Sequence, residues 1–562
     1  MKKTLLFFVL ILTYALSTKA STGKYRLTLR DNPATSIVIG WNQINGNNPV
    51  VYYGTTDHGK NWASYSNSKT PSRSVNFAGM NNQFLRLTGL QPNTSYYFVI
   101  KDSNSTSRRL WFKTLPNVPT ERLAFVSGGD SRNNRTPRQD GNLLVSKLKP
   151  HVVFFGGDMT SGATNSQWGE WFDDWQLTIS NDGRMYPILA TRGNHEPNDN
   201  HIYHLFDTPR NNSSVYYALT FGGNLIRGYT LNSEISVSGD QTNWLASDLE
   251  ANSNVTWKMA QYHKPMRPHV RGKSEANELY DNWAPLFYDN GVNLVVECDA
   301  HTVKTTWPVR PSTGGGNEEG FIRDDATGTV YAGEGCWGAP LRSNNDAKTW
   351  TRNSGSFNQF KWVFVDQEKI EIRTIKLDNA SSVGENSNAN SFAIPSGLDI
   401  WNPSNGAVVS IAANGGSDTG GEDGVVDARV AISSDDAEED LATGAVDLTS
   451  SDLEMIADAA DQVVGVKFNY ITIPQGATID KAYIQFASKG TATNATTLTV
   501  KAEDVNTAAT FSSTNNNISS RVTTTASTSW TPEVWNVSDA AGADQRTPDI
   551  SNVIQEIVDR NG

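Results

Sequence analysis

Five apolar runs in the middle of the chain each end on a polar side chain able to bind a metal. They read RLAFVSGGD, HVVFFGGD, MYPILATRGNHE, WKMAQYHKP and VNLVVECDAH. Short apolar runs bounded by glycine and turn residues predict buried strands. Between them lie amphipathic stretches such as TPRQDGNLLVSKLK and SQWGEWFDDWQLTI. Strands alternating with helices predict an α/β sheet covered by helices. Trp168, Trp171 and Trp175 recur at helical spacing and read as a stripe facing the core. Ligands of α/β sheets bind beyond the carboxyl ends of the strands. Asp130, Asp158, the pair Asn194 and His195, His263, and the pair Asp299 and His301 all stand at such ends. A lone Asp or His there is an ordinary turn residue. Five strand ends in series, each with a metal-competent side chain, predict a metal site.

The flanks have a different rhythm. Residues 22–115 read as short strands, among them SIVIGWNQ and PVVYYGTT. The run FLRLTGLQPNTSYYFVIKD places a leucine, a proline turn and Tyr96 in the tyrosine-corner order of immunoglobulin-like sandwiches. This stretch resembles a fibronectin type III domain, with Trp41 as its buried tryptophan. Residues 378–405 are rich in Asn, Ser and Gly and read as a linker. From 406 to 562 the composition shifts to Thr, Ser, Ala and Val with strand-like runs, predicting a C-terminal β-sandwich, expected to be incomplete. Its acidic opening holds Asp418, Glu422, Asp423, Asp427, Asp435, Asp436, Glu438, Glu439 and Asp440. A solvated surface is the favoured reading of that cluster, and a calcium site the sharper one.

The chain of 562 residues exceeds one hydrophobic core, so several domains are expected. Its net charge of −12, with no basic run, argues against a nucleic acid as the main partner. Residues 1–20 carry two lysines, an apolar stretch and small residues, the pattern of a secretory signal peptide cut after Ala20. No other segment is apolar enough to span a bilayer, so a secreted, periplasmic or cell-surface protein is expected. Cys298 and Cys336 are the two cysteines; a disulfide between them does not follow from spacing. Asn93, Asn212 and Asn254 stand in glycosylation sequons.

The order GGD, GGD, GNHE, His, His resembles the calcineurin-like metallophosphoesterase superfamily, and with the β-domain in front it resembles the purple acid phosphatase branch. The resemblance covers roughly residues 22–376 and implies an N-terminal sandwich at 21–117 and a four-layer α/β catalytic sandwich at 118–377. It implies two metal ions bridged by Asp158. Asp130 and His301 complete the first site, Asn194 and His263 join the second, and His195 faces the phosphate. Such a pair clamps a phosphoryl group and lowers the pKa of a bridging water. In-line attack by a metal-bound hydroxide on phosphorus is the implied mechanism.

Several positions depart from the family pattern. Cys298 and Asp299 replace the Gly and first His of its Gly-His-X-His motif, which makes Asp299 a second-site ligand candidate and Cys298 a packing residue or, as a thiolate ligand, one that favours softer metals. Ser161 replaces a tyrosine, and Arg132 replaces a glycine. Losing a phenolate disfavours ferric iron, and an added carboxylate favours Mn or Mg, so Fe, Zn, Mn and Mg all stay open. Arg132 offers a bidentate fork to a phosphate oxygen or a salt bridge within its loop. His269 is the nearest equivalent of the histidine that assists the leaving group, in a loop made basic by Lys264, Arg267 and Arg271. The expected activity is phosphomonoester hydrolysis on a small phosphate-ester substrate. The rivals are a phosphodiesterase or nucleotidase, and a surface- or glycan-binding protein with a drifted metal site.

Overall fold

The computed structural model describes residues 21–413 without a break. Beyond them it describes 426, 428, 430, 434–450, 452–456, 460–468, 471, 473, 475–492, 495–538 and 540–560. The expected signal peptide lies outside the described residues, as do Asp418, Glu422, Asp423 and Asp427. No helix among the described residues is long and apolar enough to cross a membrane. The chain divides into two compact units, 1–413 and 414–562.

Two stacked sheets form the middle of the first unit. One is ten-stranded, and at its centre Leu123–Gly128, Val152–Phe155 and Pro187–Ala190 run parallel. The other is seven-stranded, with Ile226–Thr230, Trp257–Gln261, Leu294–Glu297 and Val330–Gly333 parallel at its centre. Alternation along a strand sends neighbours to opposite faces. Met259, Leu294, Val296, Val330 and Ala332 accordingly join the core between the sheets, where Phe221 meets Phe125 edge to face and Phe154 at a tilt. Ala260, Val295 and Tyr331 instead join a second core with Leu245, Leu249, Trp283 and Phe287 of the helices Asp240–Ala251 and Asn277–Asp289. On the outer face of the ten-stranded sheet, helices Arg135–Leu148 and Asn165–Trp175 bury Leu144, Val145, Trp168, Trp171 and Trp175. The order is helix, sheet, sheet, helix, and the tryptophan stripe is core.

The N-terminal β-rich domain shares the ten-stranded sheet. Thr22–Thr28 pairs in parallel with Pro187–Ala190 on one edge and antiparallel with Ile37–Gln43 on the other. A four-stranded sheet of Val50–Gly54, Asn67–Lys69, Ser95–Lys101 and Leu110–Lys113 packs against this part over buried Trp41, Phe98 and Phe112. The Tyr96 hydroxyl accepts a hydrogen bond from the Gln91 amide at 2.9 Å, the bond of a tyrosine corner.

The expected linker at 378–405 is anchored on the first unit. Lys147 Nζ donates to the carbonyls of Ala380 and Val383, each at 2.6 Å, and both side chains are buried. The strand Val408–Ala412 then pairs with Lys369–Lys376, so the boundary expected between 405 and 406 falls after Ala413. Composition misleads here because the segment is held through its backbone: its carbonyls bind Lys147, and the Asn386 amide donates to the Lys147 carbonyl. The second unit contains a three-stranded sheet (Asp436–Asp440, Val446–Asp447, Gln462–Val466), a pair (Leu498–Val500, Thr528–Trp530) and a helix, Ser551–Val558. The strands agree with the β-rich composition; the helix was not expected.

One buried carboxylate ties the N-terminal strands to the helix Asp199–Phe206. Asp207 caps that helix in the left-handed region. Its oxygens take Arg86 at 2.7 and 2.8 Å and Arg73 at 3.0 Å, and its carbonyl takes Arg30 at 2.7 Å. Asp207→Ala leaves the Arg73 and Arg86 guanidinium groups without their anion. Breaking a buried pair costs about 3–5 kcal/mol, and partial exposure of the arginines puts the expected loss near or below about 3 kcal/mol. Thermal denaturation should show a lower midpoint in that variant; an unchanged midpoint would remove Asp207 as the tie.

Candidate metal centre

The expected ligands stand on turns that reverse the backbone at the strand ends. Asp130, Asp158, Asp299 and His301 have φ of 56°, 54°, 66° and 57°. The left-handed region costs an L-residue roughly 1–2 kcal/mol, and such strain concentrates at functional sites. Hydrogen bonds between the turns hold it in place. The Asp130 amide donates to Gly157 O at 3.0 Å, the Arg132 amide to Asp158 O at 3.1 Å, and the His301 amide to Glu334 O at 2.8 Å. The Asp299 amide donates to Asp130 Oδ2 at 2.8 Å.

These turns converge two groups of donor atoms. Ligand atoms of Asp130, Asp158 and His301 lie within 4.8 Å of one another, and so do those of Asp158, His263 and Asp299. Asp158 belongs to both. His301 Nε2 is 3.1 Å from Asp130 Oδ1, and His263 Nε2 is 3.3 Å from Asp158 Oδ1 and 3.7 Å from Asp299 Oδ1. Asn194 Oδ1 stands 3.0 Å from His263 Nε2. Asp130 Oδ1 and Asp158 Oδ2 are buried without a hydrogen-bond partner, an expensive arrangement for acceptors excluded from water. His263 Nδ1 lies 2.9 Å from Gly156 O, and His301 Nδ1 2.9 Å from Pro340 O. A proton on each Nδ1 satisfies those carbonyls and turns the Nε2 lone pairs inward, as in histidines that bind metal.

The field of the site favours positive charge. Burial pushes the His263 pKa down, but Asp158, Asp130 and Asp299 carry it well above the usual imidazole value. Burial raises Asp158, yet His263 and the His195 amide hold its carboxyl well below the usual range. Orphaned carboxylate oxygens, inward lone pairs and a cation-stabilising field fit a pair of metal ions. Asp130, Asp158 and His301 would hold one, and Asp158, Asn194, His263 and Asp299 the other. Among the described residues, no acidic side chain of the C-terminal stretch belongs to either group.

Of the remaining expected residues, His195 stands at the site, Arg132 joins it through its backbone amide on Asp158 O, and His269 pairs elsewhere. The His195 amide donates to Asp158 Oδ1 at 2.9 Å, and its ring Nε2 lies 3.8 Å from Asp158 Oδ2. The Arg132 side chain forms no ion pair among the described residues, which removes the salt-bridge reading, and its Nε is buried without a partner. His269 is wholly buried, with Nε2 2.7 Å from Thr351 Oγ1 and Nδ1 3.5 Å from Glu334 Oε1. The structure pairs the His269 ring with Thr351 and Glu334 rather than with either donor group, against the leaving-group role expected for it. Sequence spacing could not distinguish it from a catalytic histidine.

Three neighbours escaped the sequence reading. Buried Glu196, the last residue of GNHE, accepts from the amides of Asp158, Met159 and Gly193, each at 2.9 Å. It thereby joins two ligand turns, and burial and Asp158 raise its pKa to about 8. Lys273 Nζ stands 2.7 Å from Asp299 Oδ2. Arg342 donates to the Asp299 carbonyl at 2.6 Å. The position of Glu196 in the motif was a usable signal; the other two come from distant loops without one.

Cys298 is a packing residue. Both cysteines are free and buried, and burial, followed by the Asp130 charge, pushes the Cys298 thiol well above its usual pKa. A Cβ on Gly156 would lie 2.3 Å from its sulfur, and one on Gly129 2.7 Å. The glycines ahead of Asp130 and Asp158 thus make room for Cys298.

Comparison with known proteins agrees with this geometry. Residues 133–304 match the calcineurin-like phosphoesterase family, which places the middle of the chain in that class. Residues 23–114 match the purple acid phosphatase N-terminal domain, so the chain joins that domain to a calcineurin-like phosphoesterase domain. Purple acid phosphatase 15 of Arabidopsis thaliana is 25% identical over 302 residues, 45% of this chain and 56% of that protein. The match thus spans little more than half of the plant relative. Acid phosphatase type 7 of Danio rerio is 22% identical over 342 residues, 54% of this chain and 76% of that protein. Purple acid phosphatase PPD1 from yellow lupin (Lupinus luteus) seeds shares the fold. Its TM-score is 0.54 at 16% identity, covering 64% of this chain and 73% of that one.

The contact beneath the turns gives a direct test. Gly156→Ala should lower metal content and thermal stability, because its methyl collides with Cys298. Gly156→Ala combined with Cys298→Gly should recover most of both losses, as contacting residues couple non-additively. Strictly additive losses in plasma mass spectrometry and melting would contradict the packing role.

Proposed function

We propose that the chain is a binuclear, metal-dependent phosphomonoesterase acting on a small phosphate ester in an exported setting. The observation that carries this reading is the carboxylate of Asp158, common to two groups of ligand atoms. Two bound cations supply Lewis acidity to a phosphoryl oxygen and acidify water. The chain's own residues do the rest. Asp158 is oriented by the His195 amide, and its turn by Glu196. Arg132, uncommitted to any carboxylate, presents its guanidinium to a phosphoryl oxygen. His195 Nδ1 lies 2.6 Å from Ser161 O, and a proton there leaves Nε2 free to exchange a proton with the departing oxygen. Export is read from the apolar, lysine-led segment at residues 1–20.

The ligands also bear on metal choice. Ser161, at the position of the family tyrosine, donates its hydroxyl to Asn133 Oδ1 at 2.7 Å. Without a phenolate the first site loses its preference for ferric iron, and Asp299 gives the second a hard oxygen that suits Mn or Mg.

Chelation followed by reconstitution with Zn, Mn, Mg or Fe, assayed on p-nitrophenyl phosphate and bis(p-nitrophenyl) phosphate, tests this reading. Activity should return with metal and favour the monoester. A preference for the diester would select the phosphodiesterase alternative, and no turnover with any metal would overturn the enzyme reading. Asp158→Asn should abolish turnover. Asp299→His should shift the activating metal from Mn or Mg towards Zn, whereas identical metal titrations in wild type and variant would take Asp299 off the ligand list.

A further inference from the structure

We propose that Lys273 is a substrate-binding residue of this site, its ammonium recognising the second negative charge of a phosphate monoester. The inference rests on the phosphoesterase reading above. Asp299 divides its two oxygens: Oδ1 faces His263 at 3.7 Å, while Oδ2 holds Lys273 Nζ at 2.7 Å. One oxygen serves the candidate ligand group and the other holds a cation beside it. An ammonium has three N–H donors. Among the described residues Lys273 has no ion pair besides Asp299, and its side chain is 21% exposed. Two donors therefore stay available at the edge of the site.

Two other basic residues of this loop, Lys264 and Arg267, are committed elsewhere. Lys264 pairs with Glu234 at 2.9 Å. The Arg267 guanidinium donates to Glu319 O at 2.6 Å and sits 4.3 Å over the Tyr280 ring.

The segment carrying Lys273 is held by a buried charge network. Glu297 Oε1 accepts from the Met266 amide at 2.8 Å, and Glu334 Oε2 from the His269 amide at 3.1 Å. Lys304 Nζ donates to the Arg267 carbonyl at 3.2 Å and joins Glu297 at 2.5 Å to Glu334 at 2.8 Å. These three side chains are at most 1% exposed. Glu297 ends the strand before Cys298 and Asp299, and the Glu334 carbonyl receives the His301 amide. The network thus fixes residues 266–269, just ahead of Lys273, to the same turn that carries Asp299 and His301. Arg132, two residues after Asp130, would supply a second cation to the oxygens of a bound phosphoryl group. A monoester presents one more anionic oxygen than a diester, so loss of an ammonium should weigh more on the monoester.

The test uses the full metal-loaded chain, wild type against Lys273→Met and Lys273→Arg. Metal content is read by plasma mass spectrometry, inorganic phosphate affinity by calorimetry, and kcat/KM on p-nitrophenyl phosphate and bis(p-nitrophenyl) phosphate. Lys273→Met should keep its metals, lose about 10- to 100-fold in phosphate affinity, and lower the monoester-to-diester ratio at least tenfold. Lys273→Arg should recover most of the phosphate affinity. Loss of metal in Lys273→Met would show that Lys273 only holds Asp299, and wild-type phosphate affinity with an unchanged ratio would remove it from the site; either overturns the proposal. If wild type hydrolyses neither ester, the phosphoesterase reading falls, and phosphate affinity alone decides Lys273.

Discussion

The carboxylate of Asp158 is the interaction on which the rest of the site depends. It is buried, its Oδ1 receives the His195 amide and faces His263, and its Oδ2 has no hydrogen-bond partner. An ion in such surroundings is expensive unless something positive meets it. The two donor groups converge on it from different strands, so any cation held by one group shares a ligand with the other. The His195 amide on its Oδ1 and Glu196 on the amide of its own left-handed turn hold that carboxylate in place.

The layers make this convergence possible. Asp130 and Asp158 follow neighbouring strands of one sheet, and His263 and Asp299 follow neighbouring strands of the other. Stacking the sheets over one apolar core brings the four strand ends together. Close approach then depends on small residues, since Cys298 sits against Gly129 and Gly156 where side chains would collide. Behind the turns, Glu297, Lys304 and Glu334 form a buried ionic network. The attraction within such a network is offset by the cost of burying its charges.

Much of this was legible in the sequence because strand-end polar residues and apolar alternation are local signals. The core strands, the tryptophan stripe and the residues that meet at the two donor groups all follow from them. What was not legible depends on distant pairing. His269 reads as a catalytic histidine until Thr351 and Glu334, far along the chain, close on its ring. Lys273 and Arg342 reach Asp299 from loops whose composition is ordinary. The 378–405 segment reads as a linker because its polar residues give no periodicity, yet its backbone is bound by Lys147. The parallel pairing of Thr22–Thr28 with Pro187–Ala190 joins segments too far apart in the chain for any local pattern to announce.

The central claim is that Asp158 bridges two metal ions. Anomalous diffraction from crystals of the manganese-loaded protein addresses it most directly. Two anomalous peaks about 3.5–4 Å apart, one between Asp130 and His301, the other between His263 and Asp299, with Asp158 between them, are the predicted result. A single peak, or peaks that leave Asp158 unligated, would contradict the account.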